Sequence, residues 1–421
     1  VIVELINTGS ELMLGRVLNT HQQWLCRELA DLGYVVTRQV AIADTGAEIE
    51  QAVRESLLRA DLVITTGGLG PTSDDITRDR IAEMLGKKLI EDPATLAHIK
   101  SFFEIRKRPM PERTRVQAMI PEGATILHNP HGTAPGLAIE VRPNPFRKAA
   151  SWLIMLPGPP RELRPMFTDT VAPLLKRMLP LESPFVCRTL RTTGIGESVV
   201  EQRIGERLGT LVKAGLELGY CARPGQVDVR LAARGREAEP LVQAAEALVR
   251  KQLDARIFGN ENQELESVIV EMLAQRKQTL ALAESCTGGC IANRITNVPG
   301  ASAVLLAGLV TYSNAAKQRF LGVRAETLEA HGAVSETVAR EMAEGARRET
   351  GADYALSVTG IAGPSGGTAA KPVGTVFIGL AGPFETLVEQ NFNPYDRETF
   401  KQVTAQQAMD LWRRKALLMN L

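Results

Sequence analysis

The chain has 421 residues, 44% of them hydrophobic and 23% charged, with a formal net charge of +1. That length exceeds one ordinary core, since domains run to roughly 100–200 residues each, so several domains are expected. The near-neutral balance supplies no global field for nucleic acid or an anionic membrane, and no apolar run approaches the ~20 residues that span a bilayer.

The opening Val1-Ile2-Val3-Glu4-Leu5-Ile6 lacks the basic and long apolar regions of a signal peptide and reads as a strand. Asn19–Leu32 then reads as an amphipathic helix stopped by Gly33. Tyr34–Ala43 is a predicted strand, Glu48–Arg59 a helix, Leu62–Thr66 a strand and Asp74–Leu85 a helix closed by Gly86. Trp152–Leu156 is a late strand that feeds a Pro-Gly-Pro-Pro turn and another helix. Strands alternating with helices predict an α/β domain over 1–170, with a mostly parallel sheet covered on both faces. From 171 to 260 the pattern changes to a small α+β module. Its strands are Cys187–Thr193, Leu216–Ala222, Val227–Ala233 and Ala255–Phe258, and its helices Ser198–Leu208 and Glu239–Leu253. Gly259-Asn260-Glu261-Asn262 is the linker candidate. A second α/β domain, 261–421, has a helix at Glu264–Gln275, a long helix at Glu336–Thr350, and strands at Thr279–Ala283, Val304–Tyr312, Tyr354–Thr359 and Gly374–Leu380.

In the first domain, Thr65-Thr66-Gly67-Gly68-Leu69-Gly70-Pro71-Thr72-Ser73-Asp74-Asp75 follows a strand and opens a helix. The glycines free the backbone for an anion-binding nest, and Asp74 with Asp75 suits a hard divalent cation that bridges phosphates. The plainer reading is that Ser73 or Asp74 caps the helix. The glycine spacing is wrong for a dinucleotide fingerprint.

In the last domain, Glu284-Ser285-Cys286-Thr287-Gly288-Gly289 links a strand to a helix. Such a turn exposes a hydroxyl at the carboxyl end of a sheet and aims N–H groups of Thr287, Gly288 and Gly289 at an oxyanion or a phosphate. Ser285 needs a base; Lys317, with its pKa lowered by burial, is a better candidate than the lone His331. The plainer readings are a helix-capping Ser285 and a solvated Lys317. Cys286 is a rival nucleophile, although a thiol there is more often a small buried hydrophobe. The five cysteines, Cys26, Cys187, Cys221, Cys286 and Cys290, are scattered and odd in number, which predicts reduced thiols and a cytoplasmic location. Gly360 and Gly363 lie in a second glycine-rich turn suited to close approach of a ligand.

These segments carry a resemblance. Ala283-Glu284-Ser285-Cys286-Thr287-Gly288-Gly289, Val310-Thr311-Tyr312-Ser313-Asn314, Gly332-Ala333-Val334-Ser335, Thr359-Gly360-Ile361-Ala362-Gly363-Pro364 and Lys371-Pro372-Val373-Gly374-Thr375-Val376 resemble the C-terminal domain of the CinA family. The resemblance implies deamidation of nicotinamide mononucleotide (NMN) to nicotinate mononucleotide and ammonia, with no cofactor. Ser285, Lys317, Tyr312 and Thr359 fall on the family's catalytic positions, and Asn314 joins the substrate-binding residues. Gly9-Ser10-Glu11-Leu12, the Gly67–Asp75 loop, Asn129–Gly136 and Pro157–Leu163 resemble the family's N-terminal domain, of molybdopterin-binding-like fold. That implies a metal-dependent ADP-ribose pyrophosphatase giving AMP and ribose 5-phosphate. Asp74, Asp75, Glu11 and Glu162 would then touch a divalent ion, magnesium or cobalt, while Gly67, Gly68 and Thr72 line the phosphates. The alternative is a front module that binds a pterin or nucleotide without catalysis. The middle module resembles the family's KH-like domain, but Gly194-Ile195-Gly196-Glu197 breaks the GXXG loop of an RNA clamp. It therefore reads as a spacer or dimerisation element, with no nucleic acid or membrane as partner. A homodimer follows from the resemblance alone.

Overall fold

A computed structural model describes residues 1–261 and 263–418, so the linker candidate's Asn262 lies outside the described residues. Two compact units emerge, Val1–Phe185 and Val186–Leu421. Among the described residues no helix is long and apolar enough to cross a membrane.

The first unit holds a sheet in the order Val36–Ile42, Val3–Thr8, Leu62–Thr66, Ser151–Leu156, Gly136–Val141, Thr125–Leu127. Its first four strands run parallel and the last two are antiparallel additions. The expected mostly parallel sheet is present, with two strands the sequence reading lacked. Strand side chains alternate between faces. Val3, Leu5, Leu62, Ile64, Ile154 and Leu156 pack against the helix Thr20–Asp31 and the helical run from Pro160 to Met178. Ile6, Val63, Leu153 and Met155 pack the other way, against Gly46–Leu57 and Thr77–Met84. The expected boundary at 170 falls inside the Pro160–Met178 run.

In the second unit the middle module has a four-stranded sheet, Glu217–Arg223, Gln226–Arg234, Phe185–Thr193 and Ile257–Asn260. The helices Glu197–Lys213 and Ala238–Leu253 share one core with it. The final sheet runs Leu305–Val310, Leu280–Glu284, Tyr354–Gly360, Thr375–Ala381, Thr386–Phe392, with the first three strands parallel and the rest antiparallel. Leu280 and Leu282 face the helices Leu265–Arg276, Cys290–Thr296 and Arg397–Leu418, while Ala281 and Ala283 face Glu336–Thr350. The two-residue period of the central strand thus sorts the core into two layers, and the carboxyl ends of the parallel strands gather the loops that carry Ser285, Thr311 and Gly360.

Candidate active site

Parallel pairing brings the chemistry together. Glu284 and Val310 are register partners, Thr311 N donates to Glu284 O at 2.8 Å, and Ser285 N donates to Val358 O at 3.0 Å. The chain leaving the edge strand is then turned by Ser313, whose hydroxyl caps the helix Asn314–Leu321 by accepting from Ala316 N. One turn into that helix, Lys317 points back at Ser285, and its Nζ lies 3.0 Å from Ser285 Oγ.

Lys317 is 1% exposed, and Ser285 is 8% exposed. The other two neighbours of Nζ are the carbonyl oxygens of Thr311, at 2.9 Å, and Tyr312, at 3.3 Å. The ammonium can donate to all three oxygens; once neutral, the amine can keep its two N–H bonds on the carbonyls and turn its lone pair to the Ser285 hydroxyl. Burial lowers the Lys317 pKa from the ordinary lysine value, opposed only by the neighbouring Cys286. Burial also pushes the Cys286 thiol up to about 12, which keeps the rival nucleophile protonated.

Ser285 caps nothing. The helix Cys290–Thr296 begins after Gly289, and its first N–H groups are taken by the buried carboxylate of Glu284. Gly289 N and Ile291 N donate to Oε2 at 3.0 and 3.1 Å, and Ala292 N to Oε1 at 2.8 Å. Gly288 N donates to Ser285 O at 3.1 Å. The N–H groups of Gly288 and Gly289, expected to face an oxyanion or phosphate, are therefore committed within the turn. Among the described residues the N–H groups of Cys286 and Thr287 have no backbone acceptor and lie against the Cys286 thiol. The hydroxyls of Thr287 and Thr311 are buried without a partner in the same two loops.

Tyr312 and Thr359 both sit beside the Ser285–Lys317 pair. Tyr312 holds Lys317 through its carbonyl, while its exposed hydroxyl accepts from Arg397 Nη2 at 2.7 Å. Thr359 Oγ1 donates to Ala333 O at 2.7 Å and so ties the Gly332–Ser335 loop to the central strand. Arg397 Nη1 also donates to Gly363 O at 2.9 Å, joining the second glycine-rich turn to the site. Gly363 has φ +75°, and a Cβ there would stand 2.6 Å from Val373. A Cβ on Gly360 would stand 2.9 Å from Thr375 O, so both glycines serve close packing of the turn. Asn314 is exposed at the first helical position, and a Cβ on Gly288 would lie 3.9 Å from Lys401 Nζ. Arg397 and Lys401, one turn apart on the last helix, give this mouth its positive charge.

In the first unit a cavity of about 570 Å³ opens at the carboxyl ends of the parallel strands. Glu11, Asp44, Asp74, Asp75 and Glu162 line it together with Gly67 and Gly68. Gly67 and Gly68 have φ of +96° and +68°, and a Cβ on Gly68 would stand 2.0 Å from Thr77 Oγ1. Asp75 Oδ2 accepts from both Thr72 N and the Thr72 hydroxyl. That closed loop delays the helix to Thr77, whose N-cap position is Ile76, so neither Ser73 nor Asp74 caps it. Glu162, 7% exposed, accepts from Asn129 Nδ2 at 2.8 Å. Asp44, which accepts from the Ser10 hydroxyl, was not singled out from sequence because nothing in its short loop marks it. Among the described residues no three carboxylate, histidine or cysteine side chains form a metal cage. The donors are nonetheless all hard oxygens around one cavity, and a magnesium-like ion takes one or two carboxylates with substrate phosphates completing its shell.

Three family models match the chain: "Probable molybdopterin binding domain" over residues 4–177, "Damage-inducible protein CinA KH domain" over 187–259 and "CinA C-terminal domain" over 262–416. A CinA-like protein from Akkermansia muciniphila is 45% identical over 410 residues, which cover 97% of this chain and 95% of that protein. The chain belongs to the CinA family. A CinA-like protein from Gemmatimonas aurantiaca is 41% identical, covering 98% of this chain and 96% of its own. A crystal structure of a competence/damage inducible protein from Agrobacterium tumefaciens is 39% identical, covers 36% of this chain and 92% of its own, and gives a TM-score of 0.35. This CinA chain therefore combines a molybdopterin-binding-like α/β domain, a KH-like middle domain and a C-terminal CinA domain.

Proposed function

We propose that the C-terminal domain is an amidohydrolase acting on NMN, by attack of Ser285 with Lys317 as base. The observation that carries this reading is the 3.0 Å contact from a buried lysine amine to Ser285 Oγ, with two carbonyls taking its N–H bonds. Ser285 Oγ attacks the carboxamide carbon as its proton passes to Nζ. The N–H groups of Cys286 and Thr287, which have no backbone acceptor, are the candidate donors to the oxyanion. Collapse expels ammonia with the proton returned from Nζ, leaving an ester on Ser285. Water, losing its proton to Lys317, attacks the ester and frees the nicotinate carboxylate. Arg397 and Lys401 support an anionic substrate, and the phosphate of NMN is their counterpart. Ammonia release from NMN by the wild type, lost by at least ~10³-fold in Ser285→Ala, is the expected result. Ammonia release that survives in the variant would remove Ser285 from the mechanism.

The first-unit cavity supports a second activity, metal-dependent hydrolysis of ADP-ribose to AMP and ribose 5-phosphate. One or two of the carboxylates Asp74, Asp75, Glu11 and Glu162 would hold the ion, which when bound would neutralise phosphate charge and act as a Lewis acid. Gly67 and Gly68 would line the diphosphate, while Thr72, which is not among the cavity-lining residues, is held by Asp75 and shapes the loop. Asp75→Ala is expected to lower AMP release from ADP-ribose by about 10²-fold with saturating metal while ammonia release from NMN is unchanged. Wild type that binds ADP-ribose without releasing AMP would make this cavity a binding module.

A further inference from the structure

The middle module and the helix that follows the Ser285 turn meet on one buried side chain. Gln406, 1% exposed, lies midway along the last helix and faces three elements. Its Oε1 accepts from Arg294 Nη2 at 2.7 Å, and Arg294 belongs to the helix Cys290–Thr296 that follows the Ser285 turn. The same Oε1 accepts from Gln226 Nε2 at 3.3 Å, and Gln406 Nε2 donates to Thr193 Oγ1 at 3.3 Å. Gln226 and Thr193 are middle-module residues at the turn and strand end that face the last helix. Gly225, φ +74°, brings that turn so close that a Cβ would stand 3.1 Å from Gln406 Cγ. Around this junction, Arg294 Nη2 also donates to Glu266 at 2.6 Å. Arg191, 1% exposed, joins Gln226 to Glu264, at 3.0 Å from each.

We propose that the middle module clamps the nucleophile helix, with Gln406 as the positioning residue that transmits its hold through Arg294 to the Ser285 turn. Buried amide and guanidinium groups have few alternative partners, so the junction fixes one geometry. Gln406 itself lies on the helix Arg397–Leu418 that carries Arg397 and Lys401, so the same contact links the nucleophile helix to those two basic residues. The inference rests on the reading of Ser285 as nucleophile, but not on NMN as substrate.

The test uses the full chain and two readouts. An alkyl fluorophosphonate forms a P–O bond to an activated serine and expels fluoride, so its second-order rate at Ser285, per folded molecule, reports nucleophile geometry for any substrate. Gln406→Leu is expected to slow that rate by about tenfold and to lower kcat for NMN by the same factor with KM unchanged. Gln406→Glu keeps the acceptor for Arg294 and is expected within about twofold of wild type. Thr193→Val, which removes the acceptor for Gln406 Nε2 from the module side and leaves Gln406 and Arg294 in place, is expected to slow phosphonylation by about threefold and keeps the test open if Gln406→Leu does not fold. Wild-type rates in Gln406→Leu and Thr193→Val would overturn the clamp, as would Gln406→Glu falling as far as Gln406→Leu. Wild type that is phosphonylated at Ser285 yet leaves NMN intact would sink the substrate assignment, while the comparison of rates still decides the clamp.

Discussion

Replacing Lys317 with methionine is expected to lower kcat/KM for NMN by about 10³-fold or more and to leave a protein more stable than the parent. The loss follows from removal of the only base in contact with Ser285 Oγ among the described residues. Lys317→Arg is expected to be as inactive despite keeping the charge, because a guanidinium is not deprotonated in this range. In the wild type, activity rises with pH as the amine loses its proton. Because burial depresses that pKa, the limb lies below the ordinary lysine value of 10.5. Stability follows the same titration. The folded pKa is below the unfolded one, so the unfolded chain binds the proton more tightly and stability rises with pH between the two values. Below the folded pKa a buried charge is carried at a cost, which methionine of similar shape avoids. At pH values below the folded pKa, where the amine is charged, a Tm higher by roughly 2–4 °C is expected, equivalent to about 1 kcal/mol in a unit of this size. Calorimetry of wild type and Lys317→Met across pH checks it: an unchanged Tm, or an activity limb that persists in the variant, would show that Lys317 is not the titrating base.

The dyad was legible because each part has a local signal. A strand running into Ser-Cys-Thr-Gly-Gly places a hydroxyl at a sheet end, and a lysine after a Ser-Asn helix start is pointed back at it. The supporting residues had no such mark. The last helix, Arg397–Leu418, buries residues on nearly every side, from Phe400 and Val403 through Gln406, Asp410 and Trp412. A helix wrapped by neighbours loses the one-sided apolar stripe by which a sequence announces it. Arg397, Lys401 and Gln406 went unnoticed for that reason. In the first unit, the antiparallel strand Thr125–Leu127 is short and Gly136–Val141 lies between polar turns, so only the parallel core was read. Side chains used locally misled in the same way. Asp75 bonded back to Thr72 moves a helix start by several residues.

Glu284 is the largest omission, and its replacement is expected to be the most damaging single change to the fold of the site. Its carboxylate, 1% exposed, answers three N–H groups at the start of the nucleophile helix. Negative charge at that end also meets the positive pole of the helix. Glu284→Ala leaves those donors without an acceptor in a buried place, at a cost of about 3 kcal/mol or more. For a unit of this size that is a fall in Tm of roughly 6–12 °C. Glu284→Gln keeps one acceptor oxygen but turns an amide N–H toward backbone N–H groups, so it is expected to recover only part of the loss. Catalysis adds a separate demand. The turn holds Oγ, and a shift of about 1 Å costs on the order of 10²-fold in rate. Well below its Tm, where Glu284→Ala is fully folded, kcat for NMN is therefore expected to be down by about 10²-fold with Lys317 intact. Circular dichroism fixes the folded fraction and ammonia release gives the rate. Folded Glu284→Ala with wild-type kcat would mean that the carboxylate only stabilises the helix, and that the Ser285 turn keeps its geometry without it.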